Sequence, residues 1–142
     1  DWNWLEEHSI RITNSVREIN RVVLLLKPAA LPPLKIREAY CTRERLDLLR
    51  QADAIATKTL MEHDLMRDIF QLLVILLPIS KDGKGDSIVL RPVCSEDVMT
   101  AQFARLDWDL LNSLKQSLSN LPGIDAVFYD ITHKPPATFG WE

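Results

Sequence analysis

The sequence predicts an α+β fold, a two-layer sheet, antiparallel or mixed, covered by helices. Three segments carry apolar residues at helical spacing, and four shorter runs are apolar or β-branched and bounded by turn residues. The predicted strands are 21–26, 69–79, 87–93 and 124–131. Hydrophobic residues make up 46% and charged residues 26% of the 142 positions, a balance that argues against disorder and supports one buried core.

The N-terminal part of the chain predicts a helix, a strand and then a stiff connector. Apolar residues recur at helical spacing within residues 4–18, and residues 21–26 are apolar enough for a buried strand. The connector 27–33 has three prolines in seven residues, which extend and stiffen the backbone. We therefore divide the chain at this connector, into residues 1–33 and 34–142.

The strongest helix prediction covers residues 43–62. Their apolar side chains form one broad face without Gly or Pro, and Thr42 is placed to cap the first turn. Residues 34–40 alternate only weakly, which predicts a short strand before this helix. A further helix is predicted over residues 108–120, with Asp107 as its cap.

A hairpin is predicted in the middle of the chain. Residues 69–79 are nearly all apolar, which indicates a strand at the centre of the sheet. The turn 80–86 has Asp-Gly in its middle and leads to the partner strand 87–93. After Ser95 we expect one or two helical turns over residues 96–103.

One pattern occurs twice. A helix, the apolar run 19–26 and a proline-rich exit stand near the start of the chain. A helix, the run 124–131 and Lys134-Pro135-Pro136 stand at its end. One explanation of the repetition is that helix–strand units are common in α+β domains. The other is a tandem duplication of the domain. In the second case residues 1–33 are the tail of a preceding copy.

Composition and spacing argue against several function classes. The net charge is -3 without a basic stripe, so we expect no nucleic-acid partner. The longest apolar run, 72–77, is far shorter than the ~20 residues that cross a bilayer, so we expect no membrane association. There is no phosphate-cradling glycine loop. His8, His63 and His133 stand apart, so we expect no metal site.

Cys41 and Cys94 are expected to be buried, reduced thiols in a cytoplasmic protein. Two separated cysteines form neither a metal spacing nor a disulfide framework. The chain begins at Asp1 without a Met or a signal-peptide pattern, so we expect it to be an excised part of a longer protein. Because no catalytic constellation is present, the residues predict a scaffold or binding module rather than a complete catalyst.

Two positions are unusual for their surroundings. Gln71 lies in an apolar run, where a buried amide without partners costs ~1–3 kcal/mol. It is either a strand-end amide that reaches solvent or a ligand contact. The tail after Asp130 carries two consecutive prolines and two aromatic residues, which predicts that it docks. Either the aromatic residues simply pack there, or the tail is a closing arm that presents Lys134 to an anion.

The tail closely resembles the C-terminus of GMP synthases. The matching residues are Asp130-Ile131-Thr132-His133-Lys134-Pro135-Pro136-Ala137-Thr138 and Trp141-Glu142. Further matches are residues 48–54, Gln71 with Leu76-Leu77-Pro78, Arg91-Pro92-Val93, residues 97–101, and residues 122–124 with 127–131. Together they cover about residues 34–142, and the tail is the most specific part. Long-form GMP synthases carry two copies of this domain in tandem. Residues 12–26 resemble the helix and strand that close the first of these copies.

The resemblance implies a function. GMP synthases hydrolyse glutamine in one domain and adenylate XMP with ATP and Mg²⁺ in a pyrophosphatase domain, after which ammonia displaces AMP to give GMP. Their C-terminal domain dimerises, or pairs with its tandem copy, and completes the XMP pocket. By the motif match, Lys134 and Gln71 fall on XMP-contacting positions. No catalytic residue, cofactor site or metal site is expected within this segment.

The sequence also departs from the family pattern. The family has a carboxylate two residues before its final Glu, where this chain has Gly140. The turn 80–86 is shorter than usual, and the glutaminase Cys and the pyrophosphatase glycine-serine loop are absent, so the chain alone is expected to be inactive. The alternative is a divergent assembly module that has lost nucleotide binding. A stand-alone enzyme of unknown class is disfavoured by the lack of a catalytic constellation.

Overall fold

A computed structural model describes residues 1–142 as three α-helices and seven β-strands. The helices are α1 (Trp2–Ser15), α2 (Arg43–Glu62) and α3 (Trp108–Ser119), and a short 3-10 helix spans Leu65–Arg67. The strands are β1 (Val23–Lys27), β2 (Lys35–Ile36), β3 (Gln71–Leu77), β4 (Ile79–Ser80), β5 (Asp86–Cys94), β6 (Gln102–Phe103) and β7 (Ile124–Asp130).

The main sheet is mixed. Its strands run in the order β1-β7-β5-β3, with β6 paired to the end of β5. β1 and β3 are antiparallel to their neighbours β7 and β5, and the central pair β5 and β7 is parallel. The short strands β2 and β4 form a separate two-stranded sheet.

Capping side chains fix where the helices begin. Thr42 accepts a hydrogen bond from the backbone N–H of Arg45 at the start of α2, and Asp107 does the same for Asp109 in α3. Asp1 caps α1 in the same way. These contacts confirm the two predicted caps and satisfy N–H groups that have no partner within the helix.

The helices cover one face of the sheet, which confirms the predicted α+β two-layer fold. Residues that alternate along β5 and β7 point into the main core and meet α2 and α3 there. The strand members are Ile88, Leu90, Val127 and Tyr129, and the helix members are Ala52, Ala56, Leu60, Leu110, Leu111, Leu114 and Leu118. Trp2 of α1 packs against the same core and donates its indole N–H to the carbonyl of Leu106 at 2.9 Å.

The opposite face of the sheet is covered mainly by extended chain. Val89, Ala126 and Phe128 form a small buried cluster there. Leu34 of the connector region and Trp141 of the tail pack against this cluster. The C-terminal tail therefore docks against the sheet, as predicted.

Several predicted elements differ from the structure. Residues 69–79 were expected at the centre of the sheet, but β3 is an edge strand. Its continuous apolar run is explained by packing against the helix layer on one face and the small cluster on the other. The strand predicted over 34–40 shrinks to Lys35–Ile36. The N-terminal helix begins at Trp2 and ends at Ser15 rather than spanning 4–18.

The helical turns predicted over residues 96–103 are wrong. The side chains of Ser95 and Asp97 accept backbone N–H groups from within residues 98–100 and close a tight turn. Val98 adopts a φ of 63°, outside the right-handed helical region. Gln102–Phe103 then pairs with the end of β5 as strand β6.

The prediction of two buried cysteines is also wrong. Cys41 is exposed, because it lies in the segment just before α2 rather than in the core. Cys94, at the end of β5, is half-buried. No helix is both long and apolar enough to span a membrane.

Candidate functional site

The sequence-predicted residues gather at one end of the main sheet. β5 ends at Cys94 and β7 ends at Asp130, while the antiparallel β3 begins there at Gln71. The antiparallel β1 also begins at this end, just after Arg21. The C-terminal tail leaves β7 at this same point, so four strand ends and the tail come together.

A buried group of charges connects these strand ends. The Oδ2 atom of Asp130 lies 3.0 Å from a guanidinium nitrogen of Arg21 and 2.9 Å from one of Arg91. The side chains of Asp130 and Arg91 are fully buried, and that of Arg21 is 11% exposed. Burial lowers the pKa of Arg91, while the carboxylate of Asp130 opposes this effect. Two guanidinium groups thus share one carboxylate, which leaves the group with a net positive charge.

The two guanidinium groups also hold the tail. Arg91 donates to the carbonyls of Thr132 at 3.1 Å, Thr138 at 2.6 Å and Phe139 at 3.4 Å. Arg21 donates to the hydroxyl of Thr138 at 2.9 Å and to the carbonyl of Gly140. These contacts satisfy backbone carbonyls that leave the sheet and keep a terminal segment from fraying.

Lys134 lies within the segment held in this way. Its backbone pairs with Ala101 in both directions, at 2.8 and 3.1 Å. Its ammonium donates to the carbonyl of Val98 at 2.7 Å and stands 4.1 Å from the centre of the Phe139 ring. The Lys27–Pro28, Lys134–Pro135 and Pro135–Pro136 peptide bonds are cis.

Gln71 is the first residue of β3, and it is linked to Lys134 only through neighbouring aromatic residues. Its neighbour Phe70 contacts Phe139 with ring centroids 5.2 Å apart, and Phe139 in turn carries the ammonium of Lys134. No hydrogen bond joins Gln71 to Lys134. The Oε1 atom of Gln71 is buried without a hydrogen-bond partner, and an unpaired buried acceptor of this kind calls for an explanation.

A polar depression of about 410 Å³ is lined by the turn after β5 and by Ala101, whose backbone pairs with that of Lys134. Its lining includes Cys94, Glu96, Asp97 and Gln102. Burial raises the pKa of the Cys94 thiol, and the charge of Asp68 adds to this effect. Backbone N–H groups donated to Asp97 lower the pKa of its carboxyl group. The depression is therefore lined by fixed negative charge and a neutral thiol.

A second contact ties the tail to α1. His133 lies 2.7 Å from Glu6 through its Nε2 atom, and its ring stacks on Phe103 with centroids 5.2 Å apart. The other carboxylate oxygen of Glu6 accepts from Arg105. The residue before Lys134 is thus anchored by the N-terminal helix.

The last residue folds back over Gly140. A Cβ atom added at Gly140 would lie 2.9 Å from the Cδ atom and 3.1 Å from the Oε1 atom of Glu142. The terminal carboxylate therefore occupies the space that a side chain at position 140 would need. Hydrogen bonds lower the pKa of the Glu142 carboxyl group, with a smaller contribution from the charge of Arg21.

Cationic side chains and unpaired polar atoms occur together at this end of the sheet. Arg21 and Arg91 pair with the buried carboxylate of Asp130, Lys134 lies in the tail that they hold, and the Nε atom of Arg21 is buried without a partner. An unpaired donor and the unpaired acceptor of Gln71 thus lie at the same end of the sheet. Sequence reasoning missed Arg21, and its only signal was a charged residue within the repeated apolar run 19–26.

The other end of the sheet carries a similar set of charges. Arg37 holds both carboxylate oxygens of Asp86 at 2.9 Å, and Arg45 lies 3.1 Å from the same group. Arg45 also donates to the carbonyls of Tyr40 and Leu76. This set fastens the segment before α2 to the start of β5.

The family described as GMP synthase C terminal domain matches the chain over residues 58–141. The chain is 37% identical to a probable glutamine-hydrolysing GMP synthase of Leptospira interrogans over 144 aligned residues, which cover 100% of this chain and 24% of the relative. It is 46% identical to the GMP synthase of Streptomyces coelicolor over 82% of this chain and 24% of that protein. For the Syntrophomonas wolfei GMP synthase the identity is 36%, over 97% of this chain and 29% of the relative. The chain thus spans about a quarter of the length of these relatives.

Proposed function

The chain belongs to the GMP synthase C-terminal domain family, and we propose that it completes the XMP site of a glutamine-hydrolysing GMP synthase. In that reaction XMP is aminated to GMP with ATP and Mg²⁺. The glutaminase and ATP pyrophosphatase activities would come from other domains of the same protein, since the chain spans only about a quarter of its relatives. A cytoplasmic location is part of this proposal.

The observation that supports the proposal is a set of three cationic side chains that hold the tail or belong to it. Arg21 and Arg91 share the carboxylate of Asp130 and hold the tail, and Lys134 of that tail adds a third positive charge. A phosphate accepts charge-assisted hydrogen bonds from such groups. The unpaired Oε1 atom of Gln71 complements this charge, because it can accept an N–H group of a purine base.

Substitution of Lys134 in the full-length protein tests this assignment. A charge-assisted contact is worth ~1.5–3 kcal/mol, so Lys134→Ala should weaken XMP affinity roughly 10- to 100-fold. Its ammonium contacts only a turn carbonyl and an aromatic ring, so thermal stability should change little. Lys84→Ala is the matched control, because Lys84 is an exposed lysine at the opposite end of the sheet.

Gln71→Ala gives a second test of the same site. It should weaken XMP binding and also lower stability, since it removes a half-buried side chain at the start of β3. XMP titrations and thermal melts of both variants are compared. Unchanged XMP affinity in Lys134→Ala would mean that the tail only packs against the sheet.

The rival function is an assembly module that has lost nucleotide binding. Gly140 favours it, because no carboxylate side chain stands at that position. Against it, the Glu142 carboxylate fills the same space, and Arg21, Arg91 and Lys134 are present. An XMP titration that shows no binding to the full-length protein would favour the assembly module.

The second part of the proposal is that residues 1–33 are the tail of a preceding copy of the domain. Aligning Ile19 with Ile124 makes Leu24 the counterpart of Tyr129. The paired residues of β1 and β7 are Val23 with Asp130, Leu24 with Tyr129, and Leu25 with Phe128. In the same alignment Val23 corresponds to Phe128 and Leu25 to Asp130. Replacing each residue by its counterpart therefore turns the first pair into the last and leaves the middle pair unchanged. This is the register of two related strands around a two-fold axis.

The two helices before these strands support the same relation. α1 and α3 both begin with Trp after an Asp cap, and the rings of Trp2 and Trp108 stack 4.5 Å apart with planes at 11°. These features support the proposal that residues 1–27 stand in for the helix–strand unit of a second copy. This arrangement favours pairing with a tandem copy over a homodimer through the edge of β7.

Light scattering of the full-length protein distinguishes the two arrangements. Pairing within one chain predicts a monomer at concentrations where a homodimeric relative would associate. The isolated chain of residues 1–142 makes no GMP from XMP, ATP and ammonia under either arrangement. Turnover above background by that purified chain would contradict the assignment of the chemistry to other domains.

A further inference from the structure

One guanidinium group fixes the backbone on both sides of Lys134. Arg91 donates to the carbonyl of Thr132, two residues before Lys134, at 3.1 Å. It also donates to the carbonyls of Thr138 and Phe139, four and five residues after it, at 2.6 and 3.4 Å. The segment that presents the ammonium is therefore closed into a loop whose two ends meet at Arg91.

Arg91 also supports the group beneath the ammonium. By holding the carbonyl of Phe139 it holds the residue whose ring lies 4.1 Å from the Nζ atom of Lys134. The side chain of Arg91 itself is 0% exposed and is paired with Asp130 at 2.9 Å. It cannot touch a ligand outside the protein, so any effect on binding must pass through the tail.

A tail that is held in one arrangement binds more tightly than one that samples several. Terminal segments fray unless they are tied down. If only a fraction of the molecules has the binding arrangement, the apparent affinity falls by that fraction. A drop of the competent fraction to about a tenth therefore weakens binding about tenfold.

We propose that Arg91 is a positioning residue for the ligand contact of Lys134, acting through the tail carbonyls and the Phe139 ring. The proposal rests on the proposed function, in which Lys134 contacts the nucleotide. The planar fork of Arg91 serves three carbonyls and one carboxylate at once. A lysine ammonium at this position keeps the charge but has three donors at a single point, so it cannot span both ends of the loop.

The test compares Arg91→Lys, Lys134→Ala and the double variant in the full-length protein by steady-state kinetics with XMP. Arg91→Lys should raise the KM for XMP about tenfold with kcat nearly unchanged. In the Lys134→Ala background it should raise KM no further, since the contact that it positions is already gone. Leu90→Ala is the control, because Leu90 neighbours Arg91 on β5, is 1% exposed and faces the helices instead of the tail.

The outcomes separate positioning from mere stability. If Leu90→Ala lowers the melting temperature as much as Arg91→Lys and also raises the KM for XMP as much, the proposal is overturned. It is also overturned if the increases in KM caused by Arg91→Lys and Lys134→Ala add in the double variant. If Lys134→Ala alone leaves KM unchanged, the proposed XMP contact itself fails, and the positioning role falls with it.

A second pair of variants decides the question if Arg91→Lys does not fold. Phe139→Leu removes the ring beneath the ammonium of Lys134 and should raise the KM for XMP. Phe139→Tyr keeps the ring and should leave this KM near the value of the unsubstituted protein. Equal KM values for the two variants would overturn the positioning role, provided that Lys134→Ala raises KM in the same assay.

Discussion

Asp130→Asn is the sharpest test of the charge group that holds the tail. The substitution is nearly isosteric. The Oδ1 atom of Asp130 accepts the backbone N–H of Thr132 at 2.9 Å, and the side-chain oxygen of asparagine can accept the same hydrogen bond. What the substitution removes is the negative charge shared by Arg21 and Arg91 at 3.0 and 2.9 Å. The two guanidinium groups would then face each other without a counter-charge.

The expected loss of stability follows from the burial of these groups. Removing one partner of a buried ion pair costs ~3–5 kcal/mol, since the other charge stays buried and unpaired. Arg91 is fully buried, but Arg21 is 11% exposed and can gain some solvent. We therefore expect the free energy of unfolding of Asp130→Asn to fall by ~3 kcal/mol, at the lower end of that range.

Urea unfolding of residues 1–142, followed by circular dichroism, measures this loss. Asp47→Asn is the control, because Asp47 forms only surface pairs with Arg43 and Arg50 and should cost ~0–1 kcal/mol. A loss below ~1 kcal/mol in Asp130→Asn would refute the argument. It would mean that water or a side-chain rearrangement replaces the carboxylate.

Two further predictions concern titrating side chains. Burial raises the pKa of Tyr129 well above its ordinary value, with smaller contributions from Cys94 and Asp130. Above about pH 10 the unfolded state therefore loses a proton that the folded state keeps, and stability falls as pH rises. Tyr129→Phe should lessen this fall in urea unfolding between pH 8 and 11, and an unchanged slope would contradict the cause. For the cysteines, exposed Cys41 should react with a disulfide reagent at least about ten times faster than Cys94, whose pKa burial raises. Equal rates would show that Cys94 is open to solvent.

The repeating elements of the fold could be predicted from the sequence because each depends on local spacing. Thr42 and the uninterrupted apolar face after it predicted the bounds of α2 as Arg43–Glu62, which the structure confirms. The hairpin of β3 and β5 follows from two apolar runs around a turn. The order of the strands could not be predicted, because it depends on contacts between distant segments, such as the pairing of β1 with β7.

The candidate site was only partly predictable for the same reason. Gln71 and Lys134 were marked by residue types that do not suit their neighbours, an amide in an apolar run and a lysine before two prolines. Arg21 and Asp130 are 109 positions apart, and nothing in the spacing links them. The turn after Ser95 was misread as helical, because side-chain acceptors there capture backbone N–H groups that a helix would use.

The two ends of the sheet differ in how completely their buried charges are paired. At each end two arginines share one aspartate, Asp86 at one end and Asp130 at the other. The arginines around Asp86 find acceptors in that carboxylate and in the nearby carbonyls, and no buried donor there is left unpaired. At the tail end the Nε atom of Arg21 is buried without an acceptor. Because an unpaired buried donor costs free energy, the proposed function predicts that an acceptor reaching this nitrogen would stabilise the tail end more than the Asp86 end.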